Sequence, residues 1–325
     1  MKKTVSIVIP CYNESEVIDV TVEELLSVTN NIANYQFELI FVNDGSADDT
    51  EAKLLVHGKA HDNIRVISFS RNFGHQQAVS AGLDVSTGDA VVLIDADLQD
   101  PPKLIEDMIA KWEEGFDVVY GTRSSRDGES KFKLMTAKWF YRLLNYLSEV
   151  KIPLDTGDFR LMDRQVVDHL IAMPEKSRFI RGMVSWIGFN QTSINYERSA
   201  RFAGESKYPL TKMLKFGIDG ILSFSVKPLK LSIMMGFACS GVAMLMLLYS
   251  VYIRLMTDHW ESGWASLLVA ILFIGGVQLI SIGILGEYIA RIYNESKDRP
   301  LYIIKKNRDH NNRDNNVDQN NSTVE

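Results

Sequence analysis

Two long uncharged stretches in the last third of the chain most constrain how it can fold. Residues 231–253 carry no charged side chain, and neither do residues 262–286. Each stretch exceeds the roughly 20 apolar residues that a helix needs to cross a bilayer. Buried helices of a soluble domain are the alternative, which two such stretches in tandem disfavour. We therefore predict transmembrane helices at 231–253 and 262–286, joined by a short extracytoplasmic loop, 254–261.

The basic residues around these stretches predict their orientation. The loop 254–261 contains no lysine, whereas basic residues lie before the first stretch and after the second: Lys212, Lys215, Lys227, Lys230, Arg291, Lys297, Arg299, Lys305 and Lys306. Because basic residues are retained on the cytoplasmic side, both termini are expected in the cytoplasm. The start of the chain predicts a strand rather than a signal peptide. The two cysteines, Cys11 and Cys239, fall on different sides of this scheme, which argues against a disulfide framework.

The first 209 residues alternate between strand and helix patterns. Apolar runs at 5–10, 37–43, 65–70, 90–95 and 117–120 predict strands, and residues 15–29, 76–85, 103–114 and a segment beginning at Ser46 predict helices. Such alternation is typical of an α/β domain whose mostly parallel sheet is covered by helices on both faces. Residues 210–230 interleave lysines with Met, Leu and Phe, which predicts membrane-interface helices. Residues 287–325 form the predicted cytoplasmic tail, disordered from about 307.

Polar residues follow three of the predicted strands. Asp95 and Asp97 end one apolar run, Tyr12-Asn13-Glu14 follows the first strand, and Asp44-Gly45-Ser46 follows the second. Ligands of open α/β sheets bind outside the carboxyl ends of the strands, so these groups are expected to line one crevice. Carboxylate oxygens clustered there suit Mg²⁺ or Mn²⁺ carrying a phosphate. Taken alone, however, each aspartate motif would more simply be a turn that caps the next helix.

Several classes of protein lack support in this sequence. The formal net charge of −6 argues against nucleic acid as the main partner. No Gly-rich dinucleotide fingerprint and no Walker A loop follows the first strand, which disfavours a dehydrogenase and a P-loop NTPase. The six histidines are scattered, which disfavours zinc, and no Gly-x-Ser-x-Gly elbow suggests a hydrolase.

The motifs together resemble a family 2 glycosyltransferase of the GT-A fold, within the polyprenyl-phosphate glycosyltransferases. This group includes the dolichol-phosphate mannose synthases, and the bactoprenol glucosyltransferases of O-antigen modification match best. The motifs are Val-Ile-Pro-Cys-Tyr-Asn-Glu (8–14), Val-Asn-Asp-Gly-Ser (42–46), Ser-Arg-Asn-Phe-Gly-His (70–75), Asp-Ala-Asp-Leu-Gln-Asp-Pro (95–101), Gly-Asp-Phe-Arg-Leu (157–161), Gly-Gly-Val-Gln-Leu-Ile (275–280), Leu-Gly-Glu-Tyr-Ile (285–289) and Arg-Pro-Leu-Tyr-Ile-Ile (299–304).

The resemblance implies roles for the residues at the three strand ends. Asp97 and Gln99 would bind the divalent cation, and Asp95 would lie near both the metal and the ribose. The remaining residues implied at the nucleotide-sugar site are Pro10, Tyr12, Asn13, Glu14, Asp44, Ser46, Arg71 and Ala96. The ion would neutralise the diphosphate leaving group as a Lewis acid.

On the acceptor side, the resemblance assigns Asp158 to the acidic position. A lipid monophosphate is mostly dianionic near pH 7, because its second pKa is about 6. We therefore expect Asp158 to orient or weakly assist the acceptor rather than to deprotonate it. Arg123, with Asp158 and Asp97, completes the predicted catalytic set, and the cations Arg123, Arg126, Arg201 and Lys207 are expected to hold the acceptor phosphate.

Some aromatic and charged residues remain open to two interpretations. Trp139, Phe140, Tyr141 and Trp186 are candidates for a prenyl groove, although a packed helix face is the expected role of most of them. Glu287 and Arg291, one helical turn apart, would form a simple ion pair or mark a subunit contact.

The implied function is inverting transfer of glucose from UDP-glucose to undecaprenyl phosphate at the bacterial inner membrane. N-acetylglucosamine, galactose or an aminosugar are alternatives to glucose. The resemblance also implies a homotetramer, a downstream flippase and a polytopic glycosyltransferase. A processive polysaccharide synthase is a rival, but its Gln-x-x-Arg-Trp motif is absent and two spans are too few for a polymer channel. A catalytically inactive scaffold that binds sugar nucleotides is a rival of another class.

Overall fold

The structure is a computed structural model, and it describes residues 2–123, 153, 156–197, 225–256 and 263–305. Seven strands form one sheet: β1 (Thr4–Cys11), β2 (Gln36–Asn43), β3 (Ile64–Ser68), β4 (Ala90–Leu93), β5 (Val118–Arg123), β6 (Thr156–Asp163) and β7 (Gln191–Tyr196). Eight helices lie in the described ranges: α1 (Ile18–Asn31), α2 (Thr50–Ala60), α3 (His75–Val85), α4 (Leu104–Glu113), α5 (Arg164–Ala172), α6 (Ile180–Ile187), α7 (Lys227–Met256) and α8 (Trp264–Ser296).

The strand order is β3-β2-β1-β4-β6-β5-β7, and the sheet is mostly parallel, as predicted. β1 pairs in parallel with β2 on one side and with β4 on the other, so the chain reverses its direction of winding between these strands. Such a switch point is where open α/β sheets bind ligands. β6 was not predicted, and it lies antiparallel between β4 and β5. Its first residues therefore lie at the edge where β4 ends.

Helices cover both faces of the sheet, which confirms the layered arrangement. Successive residues of β1 alternate between the two sides: Ile7 and Ile9 pack in one buried cluster and Val8 in the other. The first cluster includes buried residues of α1, α2 and α4, and the second includes residues of α3, α5 and α6. The near-continuous apolar runs of the central strands follow from this two-sided burial.

Two predicted element ends near the strand-end loops differ from the structure. β4 ends at Leu93, two residues before Asp95, so the chain has already left the sheet when it reaches the two carboxylates. The helix expected to begin at Ser46 begins at Thr50. Asp48 therefore lies before the helix, where its carboxylate accepts hydrogen bonds from the amide of Thr50 (3.1 Å) and of Ser15 (3.1 Å).

The helices α7 and α8 pack against each other. Both contain stretches long and apolar enough to cross a membrane, Lys227–Ile253 and Val269–Ser296, with mean hydropathies of 2.1 and 2.3. No residue in the most apolar part of either stretch is buried in the protein, whereas the core helix of a soluble domain would be mostly buried. The second helix extends to Ser296, beyond the end of the span predicted at Gly286. The predicted loop 254–261, the interface segment 210–224 and the tail from 307 lie largely or wholly outside the described residues.

After α8 the chain returns to the edge of the sheet beside β3. Phe69 and Ile304 form an antiparallel bridge, and the Tyr302 ring stacks on Phe69 with centroids 5.0 Å apart. The Ser70 amide donates to the Ile303 carbonyl (3.0 Å), and the Lys305 amide donates to the Ser68 carbonyl (2.7 Å). Residues 297–305, the returning segment, thus connect the second apolar helix to the α/β domain.

Candidate active site

The loops that follow β1 and β2 contact each other at the switch point. The Asn13 amide donates to Ser46 Oγ (3.0 Å), and Asn13 Oδ1 accepts from the Ala47 amide (2.8 Å). Asn13 has a φ of 54°, in the left-handed region that asparagine tolerates better than most residues. Pro10 is buried within β1, and Tyr12 is exposed just beyond the strand end. The structure therefore brings together the first two of the predicted strand-end groups.

Asp44 fixes the loop that leads into α3. Its buried carboxylate accepts hydrogen bonds from the amides of Phe73 (2.7 Å) and Gly74 (2.9 Å). Burial raises the pKa of Asp44, although these two hydrogen bonds act in the opposite direction. The adjacent Gly45 lies against the backbone of Arg71, whose exposed guanidinium stacks over the Phe73 ring at 3.9 Å. Asp44 thus holds this loop, and Arg71 lies at the rim of the crevice.

The segment after β4 turns sharply and presents two carboxylates. Leu98 has a φ of 53°, and the Gln99 amide donates to Asp97 Oδ1 (3.2 Å). The Ala96 side chain is buried, and its carbonyl accepts a hydrogen bond from Thr21 Oγ1 (2.7 Å). Asp95 and Asp97 therefore lie in a loop beyond the end of β4, where their side chains do not follow the alternation of a strand.

The donor set at this turn fits a hard divalent cation. Within the described ranges, no group of three or more His, Cys, Asp or Glu side chains is arranged to hold a metal ion. Mg²⁺, however, is commonly held by one or two carboxylates together with substrate phosphates and water. Burial raises the pKa of Asp95 to about 6, with partial compensation from His75. A cation near Asp95 would offset that cost of burying an ionised carboxylate.

A third carboxylate, Asp158 on β6, carries two cationic partners. Asp158 Oδ1 accepts from Arg181 Nε (2.6 Å) and Oδ2 accepts from His75 Nε2 (3.1 Å). The same His75 nitrogen lies 3.7 Å from Asp95 Oδ1. Burial acts to raise the pKa of Asp158, but Arg181 and His75 outweigh it and hold this pKa well below its usual range. His75 therefore lies between the acid after β4 and the acid on β6.

Sequence reasoning missed His75 and Arg181 as site residues. Burial would lower the pKa of His75, but the hydrogen bond to Asp158 and the charge of Asp95 raise it to about 9. His75 ends the motif 70–75, whereas Arg181 lies in none of the motifs quoted above. Neither residue has a local signal for its role, because their common partner Asp158 is distant along the chain. It is 83 residues from His75 and 23 residues from Arg181.

The predicted acceptor-side cations lie mostly outside what the structure describes. Arg126, Arg201 and Lys207 are outside the described residues, and of Arg123 only the backbone, at the end of β5, is described. Trp139, Phe140 and Tyr141 also lie outside. Trp186 on α6 is 64% exposed, so a packed helix face, the role expected for most of these aromatics, does not apply to it.

The chain belongs to glycosyltransferase family 2. Residues 6–171 match the profile of glycosyl transferase family 2, and residues 227–292 match a profile described as the GtrB C-terminal hairpin. The first match covers most of β1, all of β2 to β6 and the three acidic positions, and the second covers α7 and most of α8. The family, the GT-A-like α/β fold and the apolar C-terminal hairpin predicted from the sequence are therefore confirmed.

Particular relatives match almost the whole chain. An uncharacterized glycosyltransferase, YkcC, of Bacillus subtilis is 52% identical, covering 93% of both chains. The prophage bactoprenol glucosyl transferase homolog of Escherichia coli is 41% identical, covering 93% of this chain and 98% of the relative. The SfII prophage-derived bactoprenol glucosyl transferase of Shigella flexneri is 43% identical, covering 93% of this chain and 97% of the relative.

Among solved structures, glucosyl-3-phosphoglycerate synthase from Mycobacterium tuberculosis, in complex with Mn²⁺, UDP-glucose and phosphoglyceric acid, aligns with a TM-score of 0.47. It is 22% identical, and the alignment covers 68% of this chain and 78% of that chain.

Proposed function

We propose that this protein transfers glucose from UDP-glucose to a polyprenyl phosphate, undecaprenyl phosphate in a bacterial membrane. The observation that carries the proposal is the switch-point crevice, where His75 Nε2 lies 3.7 Å from Asp95 and 3.1 Å from Asp158. The two apolar helices and the relatives named as bactoprenol glucosyltransferases support a lipid acceptor.

On the donor side, the loops after β1 and β2 would hold the uridine. Tyr12 is exposed just beyond the end of β1, where it could stack on a base, and we propose that Pro10, Glu14, Asp44 and Arg71 complete the uridine pocket. Asp95, Asp97 and Gln99 would hold Mg²⁺ or Mn²⁺, which supplies Lewis-acid neutralisation of the diphosphate leaving group. Asp95 is half-buried and burial raises its pKa, which supports this assignment, since a cation would compensate its charge.

The acceptor needs no strong general base. An oxygen of the phosphate dianion attacks the anomeric carbon as the bond from that carbon to the UDP oxygen breaks, so UDP leaves and no proton has to be removed. A single displacement of this kind inverts the anomeric configuration and gives a β-linked glucosyl lipid. Asp158, paired with Arg181 and His75, is then suited to orient charge rather than to accept a proton.

The proposed setting is the bacterial inner membrane, with the α/β domain and both termini in the cytoplasm. The lysine-free loop and the flanking basic residues support this orientation. We further propose that the glucosyl lipid serves O-antigen or other envelope glycan modification, with a flippase and a polytopic glycosyltransferase acting downstream and the protein itself a homotetramer.

A direct test is transfer of labelled sugar to lipid. Membranes containing the protein are incubated with radiolabelled UDP-glucose, Mg²⁺ and prenyl phosphate, and the lipid is extracted. We expect labelled lipid with the wild type and at least a hundredfold less with Asp97→Ala, because loss of an electrostatic stabiliser of a leaving group costs about that much. Asp107→Ala, which alters an acidic residue of α4, is the matched control and should retain activity.

The same assay separates the alternatives. Competition by UDP-N-acetylglucosamine, UDP-galactose or a UDP-aminosugar would change the assigned sugar. A wild type that binds UDP-glucose but labels no lipid with any sugar nucleotide would favour the inactive scaffold and overturn the proposed activity.

A further inference from the structure

The acidic group on β6 is covered by its cationic partners. The Asp158 side chain is 10% exposed, whereas Arg181 and His75 are 26% and 35% exposed. Each oxygen of the carboxylate accepts from one of the two partners, at 2.6 Å from Arg181 and 3.1 Å from His75. A ligand that enters the crevice therefore meets the guanidinium and the imidazole before it meets the carboxylate.

A second arginine contacts the backbone at Asp158. Arg160 is buried, and it donates to the carbonyls of Asp158 (3.2 Å) and Gly157 (3.0 Å). Two arginines, which stay charged at any physiological pH, thus share the neighbourhood of Asp158. Buried charge is costly unless it is compensated, so an anion at this place would be stabilised.

The position of the cationic pair matches the place where a phosphate must bind. Asp158 lies on β6, which pairs with β4, and β4 leads into Asp95 and Asp97. Arg181 is held in place by a second hydrogen bond, from Nη1 to the Thr156 carbonyl (3.1 Å). An anion bound by Arg181 and His75 would therefore lie next to the proposed metal and diphosphate site.

We propose that Arg181 and His75 bind a phosphate oxygen of the substrates and that Asp158 is the positioning residue that holds both. The inference rests on the proposed function, in which the acceptor is a phosphate monoester. It reverses the usual expectation for an acidic residue beside an acceptor, because Asp158 acts through its two cationic neighbours and exchanges no proton with the substrate.

The test uses the purified full chain in detergent micelles and four variants: Arg181→Met, Arg181→Lys, Asp158→Asn and the double variant Arg181→Met/Asp158→Asn. We measure kcat, the KM for prenyl phosphate, equilibrium binding of radiolabelled prenyl phosphate, and equilibrium binding of UDP. Arg181→Met should weaken prenyl phosphate binding at least tenfold, and Arg181→Lys should recover part of the loss because the charge remains. Arg65→Met, which changes an exposed arginine on β3, should match the wild type.

The double variant distinguishes a positioning role from a base. If Asp158 acts through Arg181, the double variant should be no worse than the more damaged single variant, since groups that act as a unit are not additive. Weaker UDP binding in place of weaker prenyl phosphate binding would identify the donor diphosphate as the bound phosphate. Unchanged binding of both ligands in Arg181→Met would overturn the inference. It would also be overturned if Asp158→Asn lowered only kcat and the effects of the two substitutions on kcat multiplied in the double variant. A wild type that binds prenyl phosphate through Arg181 but transfers no sugar would overturn the proposed function alone.

Discussion

The aspartates around the crevice differ in the partners that hold their carboxylates. Asp44 accepts from two backbone amides, and the buried Asp100 accepts from the Tyr196 hydroxyl. Asp158 accepts from two cations, whereas Asp95 has only His75 at 3.7 Å as its ion-pair partner among the described residues. Hydrogen bonds and cations stabilise an ionised carboxylate, and burial without them does not. The charges of Asp44 and Asp100 are thus compensated by hydrogen bonds within the fold, which leaves Asp95 with the clearest need for a cation.

Gly45 provides a residue-scale prediction about the donor site. Its φ is +63°, and a Cβ there would lie 2.3 Å from the carbonyl carbon of Arg71. We expect Gly45→Ala to destabilise the fold by about 1–2 kcal/mol through its left-handed backbone and by about 1–3 kcal/mol more through overlap. Thermal unfolding of the purified protein measures the loss, and UDP affinity should fall with it.

Gly115→Ala is the matched control for that substitution. Gly115 also has a positive φ, +98°, but a Cβ there meets nothing within 4 Å. It should therefore show the backbone cost without the overlap and leave UDP affinity unchanged. Equal losses in the two variants would contradict a packing role for Gly45.

At the scale of elements, the returning segment pairs with the chain directly before the loop of Arg71. Tyr302 stacks on Phe69 and donates to Asp84 Oδ2 (2.6 Å). We expect Tyr302→Ala to cost about 2–4 kcal/mol of stability, because a half-buried aromatic ring is lost, and Tyr302→Phe to cost about 1 kcal/mol for the hydrogen bond alone. Thermal unfolding of both variants measures the difference; similar losses would mean that the stacked ring contributes little.

The contact between α1 and α2 predicts a dependence of stability on pH. Hydrogen bonds from Lys53 (2.6 Å) and His57 (2.9 Å) lower the pKa of Asp19. The unfolded value is about 3.9, so the ionised carboxylate stabilises the fold above about pH 4, and this contribution is lost as the pH falls through the lower folded value. Asp19→Asn should therefore lower the free energy of unfolding at pH 7. The loss should be less than about 1 kcal/mol, because the ion pair between Asp19 and Lys53 is largely exposed.

That difference should be smaller at pH 3 than at pH 7, which thermal unfolding at the two pH values would reveal. Asp62→Asn, at an exposed position after α2, is the control and should show no such change. A difference between Asp19→Asn and the wild type that is the same at both pH values would assign the effect to something other than ionisation.

How far the sequence predicts this molecule depends on the distance over which each signal acts. The apolar runs and caps of β1 to β5 and of α1 to α4 are local, and these elements were predicted within a few residues. β6 and β7 were not, because the pairing of β6 between β4 and β5 depends on contacts distant along the chain. That insertion is what brings Asp158 to His75. The motifs could therefore indicate which acids matter, whereas the cations that hold Asp158 required the fold.

At the scale of the whole molecule, the end of α8 is fixed to the α/β domain. Glu295 accepts hydrogen bonds from the amides of Lys176 (2.9 Å) and Ser177 (3.1 Å), and Lys176 Nζ lies 2.9 Å from Asp298. The loop that contains Lys176 leads into α6, which carries Arg181. A few contacts therefore link the end of α8 to the loop before α6, whose Arg181 pairs with Asp158. These contacts fix the position of the crevice relative to the apolar hairpin.

The predicted orientation of that hairpin can be tested by labelling introduced cysteines. In a Cys239→Ala background, Asp258→Cys and Lys306→Cys place one thiol in the predicted outer loop and one in the tail. The remaining Cys11 is buried, and burial raises the pKa of its thiol well above the usual range, so it should react poorly. A membrane-impermeant maleimide should label the Asp258→Cys variant in intact cells and the Lys306→Cys variant only after lysis, because the basic residues beside the tail favour the cytoplasm. Labelling of the Lys306→Cys variant in intact cells would contradict the proposed orientation.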